Sequence, residues 1–193
     1  MLAADPFQQF EIWHKAWREM TTGDPTVVTL ATASAGGEPS ARVVLLKGWG
    51  PEGFVFYTNR ESRKGRDLAD NPRAALCFYW PEAGHQVRVR GTVAEVERDI
   101  AREYFHSRPR GSQLGGMVSQ QSRPAADDDQ LAEAVREARL AFDGREIPLP
   151  DHWGGYRITP TAFEFWQNGL DRLHDRFQYR LEAGVWVMER LQP

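Results

Sequence analysis

The 193-residue sequence predicts an α+β fold, a closed antiparallel β-barrel with peripheral helices. Five β-branched or aromatic runs follow one another between residues 26 and 96, separated by turn clusters such as SAGGEPS and GWGPEG. Only one short helical stretch interrupts them, and no Gly-rich turn follows the first strand, which argues against a doubly wound parallel sheet. Helical patterning is otherwise confined to the N-terminus and to residues 97–142.

Asp5-Pro6 opens the first helix, 5–22, with a capping carboxylate and a proline at the first helical position. Phe7, Phe10, Trp13, Trp17 and Met20 recur three and four apart, giving one apolar stripe that must dock on something. After Gly23-Asp24-Pro25 the pattern turns extended, through TVVTLATA, ARVVLLK, GFVFYT, AALCFYW and HQVRVRGTVAEV. Residues 43–46 are uniformly apolar, which predicts a strand buried on both faces. Alternation in HQVRVRG sets Gln86, Arg88 and Arg90 on one face, with Val87 and Val89 on the other. Between the third and fourth strands, residues 62–71 read as a short helix capped by Ser62.

Residues 97–107 and 127–142 read as two further helices, the second amphipathic through Leu131, Val135, Ala138 and Phe142. The acidic run Asp127-Asp128-Asp129 suits the positive end of that helix dipole. The intervening SRPRGSQLGGMVSQQSRP reads as a long, basic, Gly-rich loop of the kind that carries function. The tail, 153–193, returns to strands: GYRIT, AFEFWQ, then a hairpin of RLHDRFQYR and VWVMERL around Glu182-Ala183-Gly184. No repeat or linker intervenes, so one domain is expected over 1–193.

With 24 Lys and Arg against 27 Asp and Glu, the formal net charge is -3, unlike a bulk nucleic-acid binder. Cys77 stands alone, which excludes an intrachain disulfide and a cysteine metal cage. No basic-then-apolar leader is visible, and no run approaches the roughly 18 apolar residues of a membrane span, so the expected location is cytoplasmic. No GxGxxG, P-loop, HExxH or GxSxG pattern occurs, and no spaced His/Cys/Asp set predicts a metal. The seven Trp fit either a core or an aromatic-walled ligand site.

Candidate chemistry falls in four runs. Arg42 and Lys47 flank the second strand, either as cations reaching solvent or as the rim of a pocket. Arg63 and Lys64 begin the helix 62–71, where free amides and the dipole favour phosphate. Arg108, Arg110, Ser112, Gln121 and Ser122 add donors suited to phosphate oxygens. In a strand, Arg172, His174 and Arg176 would share one face, a crowding that needs an anionic ligand or a carboxylate from elsewhere. Cationic donors and aromatics without an activated nucleophile point to a bound organic cofactor as the seat of the chemistry.

The runs RVVLLK, FYTNRESRKG, NPRAAL, QVRVRG, YFHSRPRGSQLG, SQQS, WGGYR, EFWQ and RLHDR, in this order, resemble the pyridoxine/pyridoxamine 5′-phosphate oxidases. These are FMN-dependent, homodimeric split-barrel flavoproteins, and the resemblance covers nearly the whole chain. It implies that Arg42, Val43, Val44, Leu45, Leu46, Lys47, Tyr57, Thr58, Arg63 and Lys64 hold FMN at a subunit interface. Gln86, Gln121, Ser122, Trp166 and Arg176 are implied to join them. Lys47, Tyr104, Arg108 and Ser112 are implied to grip a substrate 5′-phosphate. Arg172, Leu173 and His174 are implied to meet the substrate, with Arg172 and His174 facing its pyridine ring as the catalytic pair.

The implied reaction is oxidation of pyridoxine or pyridoxamine 5′-phosphate by O2, through hydride transfer to the flavin, to pyridoxal 5′-phosphate and H2O2. A sister flavin oxidase of the phenazine-biosynthesis type, or a non-catalytic module binding flavin or pyridoxal phosphate, are the alternatives. The chain departs from familiar members at Met117 for Trp, His85 for Arg and Asn168 for Gly. Familiar members carry an N-terminal segment with Arg and Tyr that closes over the substrate; this sequence starts almost at the first helix, so that lid is expected to be absent or cut away.

Overall fold

The computed structural model describes residues 2–125 and 129–193. Helix α1 (Pro6–Met20) starts as its cap predicts, with the Asp5 carboxylate accepting from the Phe7 amide at 2.9 Å. Eight strands follow: β1 (Val27–Ala33), β2 (Pro39–Gly50), β3 (Gly53–Asn59), β4 (Arg73–Trp80), β5 (His85–Glu95), β6 (Trp153–Gln167), β7 (Asp175–Glu182) and β8 (Val185–Leu191). Helix α2 (Arg63–Asp70) lies between β3 and β4, while α3 (Arg98–Ser107), α4 (Arg110–Val118) and α5 (Gln130–Ala141) lie between β5 and β6.

All strand pairings are antiparallel, in the order β3-β2-β1-β4-β5-β6-β7-β8. An additional pairing of β3 with β6 closes β1 to β6 into a six-stranded barrel. The sequence shows five barrel strands because the sixth is disguised. GYRIT and AFEFWQ, read as two strands, are one strand of 15 residues. Its pairing with β5 shifts between Arg90↔Ala162 and Gly91↔Pro160, leaving Thr161 over as a bulge. Pro160 has no N–H to give the ladder, so the bulge lets the strand bend without ending.

The barrel interior is apolar, with Leu30, Phe56, Val87, Val89 and Phe165 fully buried. Helix α1 packs onto this core: Phe10 meets Phe54 and Phe78 edge-on, with ring centroids 5.1 and 4.9 Å away. Trp17 stacks on Trp80 at 5.5 Å and donates its indole N–H to Glu82 at 3.0 Å. Met20, the last member of the expected stripe, is exposed. A second, smaller core of Phe105, Leu114, Ala138, Ile147 and Trp153 packs α3, α4 and α5 on the start of β6.

Four expectations are corrected. The run read as one long loop contains α4, whose three glycines and preceding Pro109 hide a helix that Leu114 pins to the second core. Strand β2 is buried on one face only, because within the chain no layer covers the other: Val43 is 62% exposed and Leu45 41%, while Leu46 is 1%. RLHDR does not form a strand from its first residue. Leu170–Arg172 is a 3₁₀ turn and β7 begins at Asp175, so the shared face expected for Arg172, His174 and Arg176 does not exist. In α5, Ala138 is buried but Leu131 is exposed; Asp127 and Asp128 lie outside the described residues.

Phe10→Ala should lower stability by about 3–5 kcal/mol in urea denaturation, because the cavity would lie where several aromatic rings converge. A loss under about 1 kcal/mol would show that α1 does not seal the barrel core.

Candidate active site

A cleft of about 980 Å³ opens where the exposed face of β2, β3 and the start of α2 meet α3, α4 and the segment after α4. It gathers most of the sequence-predicted residues: Arg42, Val43, Val44, Leu45 and Lys47 from β2, Tyr57 and Thr58 from β3, and Arg63 and Lys64 from α2. Tyr104, Arg108, Ser112, Gln121 and Ser122 complete the set. Leu46 does not reach it, because its side chain turns into the barrel core. Arg110 also turns away, to the Arg145 and Phe142 carbonyls.

At one end the cleft is built by the first turn of α2. Ser62 is fully buried, and its hydroxyl caps the helix by accepting from the Gly65 amide at 3.4 Å. Position 65 must be glycine, since a Cβ there would lie 1.9 Å from the Arg60 carbonyl oxygen. This close approach turns Lys64 inward. Its ammonium donates to Gln121 Oε1 at 2.9 Å, Thr58 Oγ1 at 3.1 Å and Ser62 Oγ at 3.2 Å. None of these acceptors is charged. Burial, aided by the nearby Arg42 charge, therefore pushes Lys64 down to about 8.

Its neighbours are held differently. Arg42 donates to Thr32 and Ser40 at 2.7 and 2.6 Å and lies 3.8 Å from Asp67, while Arg63 pairs with Glu38 at 3.0 Å.

At the other end, the rings of Tyr57, Tyr104 and Trp153 cluster nearly parallel, with centroids 4.0 Å (Tyr57–Tyr104), 5.5 Å (Tyr57–Trp153) and 6.2 Å (Tyr104–Trp153) apart. The Arg108 guanidinium lies over the Trp153 ring at 4.9 Å, and burial lowers its pKa. Among the described residues its buried Nη1 has no hydrogen-bond partner. An anionic oxygen entering the cleft would satisfy such an N–H. Trp153 and Asn59 were missed as site residues, although the WGG run carried a signal: two glycines beside an aromatic mark close approach.

The remaining candidates lie elsewhere. Gln86, Trp166 and Arg176 sit side by side across β5, β6 and β7 through the pairs Gln86↔Trp166 and Trp166↔Arg176. The His174 ring lies 4.5 Å from Trp166. Arg176 donates through Nε and Nη2 to Glu164 Oε1 at 3.0 and 2.9 Å, and Arg88 also pairs with Glu164. Glu164, buried on the same face, is thus the carboxylate that balances Arg88 and Arg176, while Arg172 and His174 do not share that face. Arg172 and Leu173 are exposed beside them. None of these residues lines the cleft of the same chain.

Among the described residues no group of His, Cys, Asp or Glu could hold a metal, and no helix is long and apolar enough to cross a membrane. The cleft suits a ligand carrying anionic groups near both ends and an aromatic body between them.

A family model described as pyridoxamine 5′-phosphate oxidase matches residues 14–142. The chain belongs to this family, and it is an enzyme. A second model, described as the pyridoxine 5′-phosphate oxidase C-terminal dimerisation region, matches residues 153–193. Among curated relatives, a pyridoxine/pyridoxamine 5′-phosphate oxidase of Cupriavidus pinatubonensis is 50% identical, covering 100% of this chain and 91% of the relative. One from Acaryochloris marina is 48% identical, covering 98% and 87%. Among solved structures, PhzG of Burkholderia lata, in complex with tetrahydrophenazine-1-carboxylic acid, superposes with a TM-score of 0.93 at 29% identity, covering 99% and 94%. A pyridoxamine 5′-phosphate oxidase-related, FMN binding protein of Nostoc punctiforme, at 16% identity and a TM-score of 0.79, shares the fold.

Lys64 makes this family member's cleft pH-sensitive in a defined direction. The folded chain holds the Lys64 proton less tightly than the unfolded chain does, so raising pH from about 8 toward 10.5 should add to the stability of the ligand-free protein. Over the same range the ammonium disappears, and affinity for a phosphate ligand should fall. Calorimetric titration and thermal melts across this window should show the two opposed trends in the wild type and flatten both in Lys64→Met. Parallel trends would contradict the assignment.

Proposed function

We propose that the protein is an FMN-dependent oxidase that converts pyridoxine or pyridoxamine 5′-phosphate, with O2, to pyridoxal 5′-phosphate and H2O2. The observation that carries this reading is the pair of anion-ready ends of one cleft: Lys64 at α2 and the Arg108 N–H over Trp153, the first without a carboxylate partner and the second without a hydrogen-bond partner among the described residues. FMN and its substrate each bring a phosphate group, and both ligands have flat aromatic bodies.

The donor set fits FMN. Arg63, Lys64, Thr58, Gln121 and Ser122 would hold its phosphate end, and the β2 wall would meet its body. When bound, FMN supplies a reversible hydride acceptor that O2 can reoxidise. The chain's own groups bind and orient. Lys47, Tyr104, Arg108 and Ser112 would fix the substrate phosphate, setting the exocyclic 4′ carbon for hydride loss. Arg172 and His174 would orient the pyridine ring. No protein nucleophile is needed. An amine substrate would leave as an imine that water hydrolyses.

The working unit under this reading is a homodimer. Residues 153–193 match the family's dimerisation region, and they carry Trp166, Arg172, Leu173, His174 and Arg176, none of which reaches the cleft of its own chain. A second copy would bring them to it. The exposed Val43, Leu45 and Tyr79 give the outer sheet face the apolar character of an interface.

The likeness to PhzG supports a second reading, an oxidase for a tricyclic substrate without phosphate. The cluster of Lys47, Tyr104, Arg108 and Ser112 favours the phosphorylated substrate, because a substrate without an anion would cover these donors and leave the buried Arg108 Nη1 unpaired.

FMN-loaded protein given pyridoxine or pyridoxamine 5′-phosphate in air should form pyridoxal 5′-phosphate and peroxide together. A yellow protein inert toward both would shift the assignment to the PhzG-type substrate. Arg172→Ala and His174→Ala should each lower turnover on the order of a hundredfold while retaining flavin; colourless variants would place these residues at the cofactor instead. Sedimentation of the holoprotein should give a dimer, and a monomer that turns over would refute the shared site.

A further inference from the structure

We infer that the Gly169 backbone amide fixes His174 as the tautomer carrying its proton on Nε2, making the imidazole a hydrogen-bond donor to the ligand and not a proton acceptor. The identity of that ligand rests on the proposed function; the tautomer does not.

A backbone amide can only donate, and that of Gly169 lies 3.2 Å from His174 Nδ1. Nδ1 must therefore present its lone pair, which leaves the single proton of a neutral imidazole on Nε2. The contact is made by a tight loop. The Leu173 amide donates to the Leu170 carbonyl at 2.9 Å, and the His174 amide to the Arg172 carbonyl at 3.0 Å. Between them the chain reverses through Asp171 and Arg172, both left-handed, with φ of 52° and 64°.

That reversal presses residue 169 against residue 173. A Cβ on Gly169 would lie 2.1 Å from the Leu173 carbonyl oxygen, although the φ of Gly169, -126°, suits any residue. Glycine is required here for close approach and not for conformation. The Asn168 amide, donating to the Gly84 carbonyl at 2.8 Å, ties the start of the loop to the chain entering β5. Trp166 flanks the imidazole at 4.5 Å with a 43° tilt. The ring is thus held by a backbone bond at Nδ1 and by an indole at its side, and Nε2 is the atom left to meet a ligand. In this state it offers an N–H to an oxygen or nitrogen acceptor on the ligand ring, and it cannot take a proton there. Gly169 is accordingly a positioning residue that acts through His174.

The decisive measurement is NMR of the FMN-loaded protein with ¹⁵N-labelled imidazoles, at a pH where the ring is neutral, with His174→Gln used to assign the signals. The expected pattern is a protonated Nε2 and an unprotonated Nδ1; a proton on Nδ1 overturns the inference. His174→Gln places an amide N–H near the position of Nε2 and should keep turnover within about tenfold of wild type. His174→Asn reaches only to the place of Nδ1 and should lose on the order of a hundredfold. Equal losses of that size in both variants would mark an acid–base role and overturn the donor role.

Gly169→Ala should retain flavin while showing both tautomers and losing at least about tenfold in turnover; an unchanged tautomer would refute the role of the glycine. If that variant does not fold, the wild-type spectrum still decides. Protein with the Nε2–H pattern but no activity on the pyridoxine phosphates would sink the functional reading and leave this inference standing. Turnover with Nδ1 protonated would do the reverse.

Discussion

Six ladder pairs between β3 and β6, from Phe54↔Ile158 to Asn59↔Trp153, turn an open sheet into a barrel. Closure leaves neither strand with a free edge there, and it also builds the cleft. It brings Tyr57 on β3 beside Trp153 on β6, and on this pair stack Tyr104 from α3 and Arg108 from the end of that helix. The carbonyl of Trp153 in turn accepts from Arg98 at 2.6 Å, fastening the start of α3 to the barrel. Losing the β3–β6 ladder would therefore dismantle the aromatic end of the site along with the fold.

Cations around the candidate site fall into two kinds, and the difference decides what each can do. Arg42, Arg63 and Arg176 each have a carboxylate, Asp67, Glu38 and Glu164 respectively. These partners fix geometry and cancel much of the attraction for a further anion. Lys64 and Arg108 have none among their partners in the described residues, and burial weakens the proton affinity of both. A buried cation without a counter-charge is unfavourable in the free protein, and a phosphate that supplies the counter-charge stabilises the fold by the same interaction. Under the proposed function, selectivity for phosphate at both ends would follow from which cations lack a carboxylate partner among the described residues, and not from how many there are.

Much of this was legible in the sequence. The Asp5-Pro6 cap, the Ser62 cap and the Val87/Val89 alternation are local signals, and each element appears where its signal stands. The misreadings have local causes too. Pro160 splits the pattern of β6 because a bulge absorbs it, and bulges leave no composition mark of their own. Helix α4 hides behind Gly111, Gly115 and Gly116 because tertiary packing through Leu114 overrides weak propensity. The apolar run of β2 looks the same whether its second cover comes from this chain or another. Parity in RLHDR failed because Asp171 and Arg172 are both left-handed; aspartate tolerates that conformation, but nothing in the Arg172 side chain announces it. The motifs marked the site residues one by one, but spacing could not show that they divide into two groups.

That division gives the β6–β7 loop its physical logic. Left-handed backbone at Asp171 and Arg172 is unfavourable by about 1–2 kcal/mol per residue, and Leu170 and Leu173 stand 88% and 70% exposed beside them. A lone chain gains nothing evident from either feature. In the proposed homodimer both become useful, because a partner surface would cover the two leucines and the reversal would aim Arg172 and His174 outward, to the neighbouring chain's cleft. Burying those leucines would offset the backbone strain at the moment the site is assembled. In the proposed homodimer the loop's geometry would then be coupled to dimerisation: contacts within the chain hold the His174 ring, and the partner surface would cover the strained, exposed part of the loop that carries it.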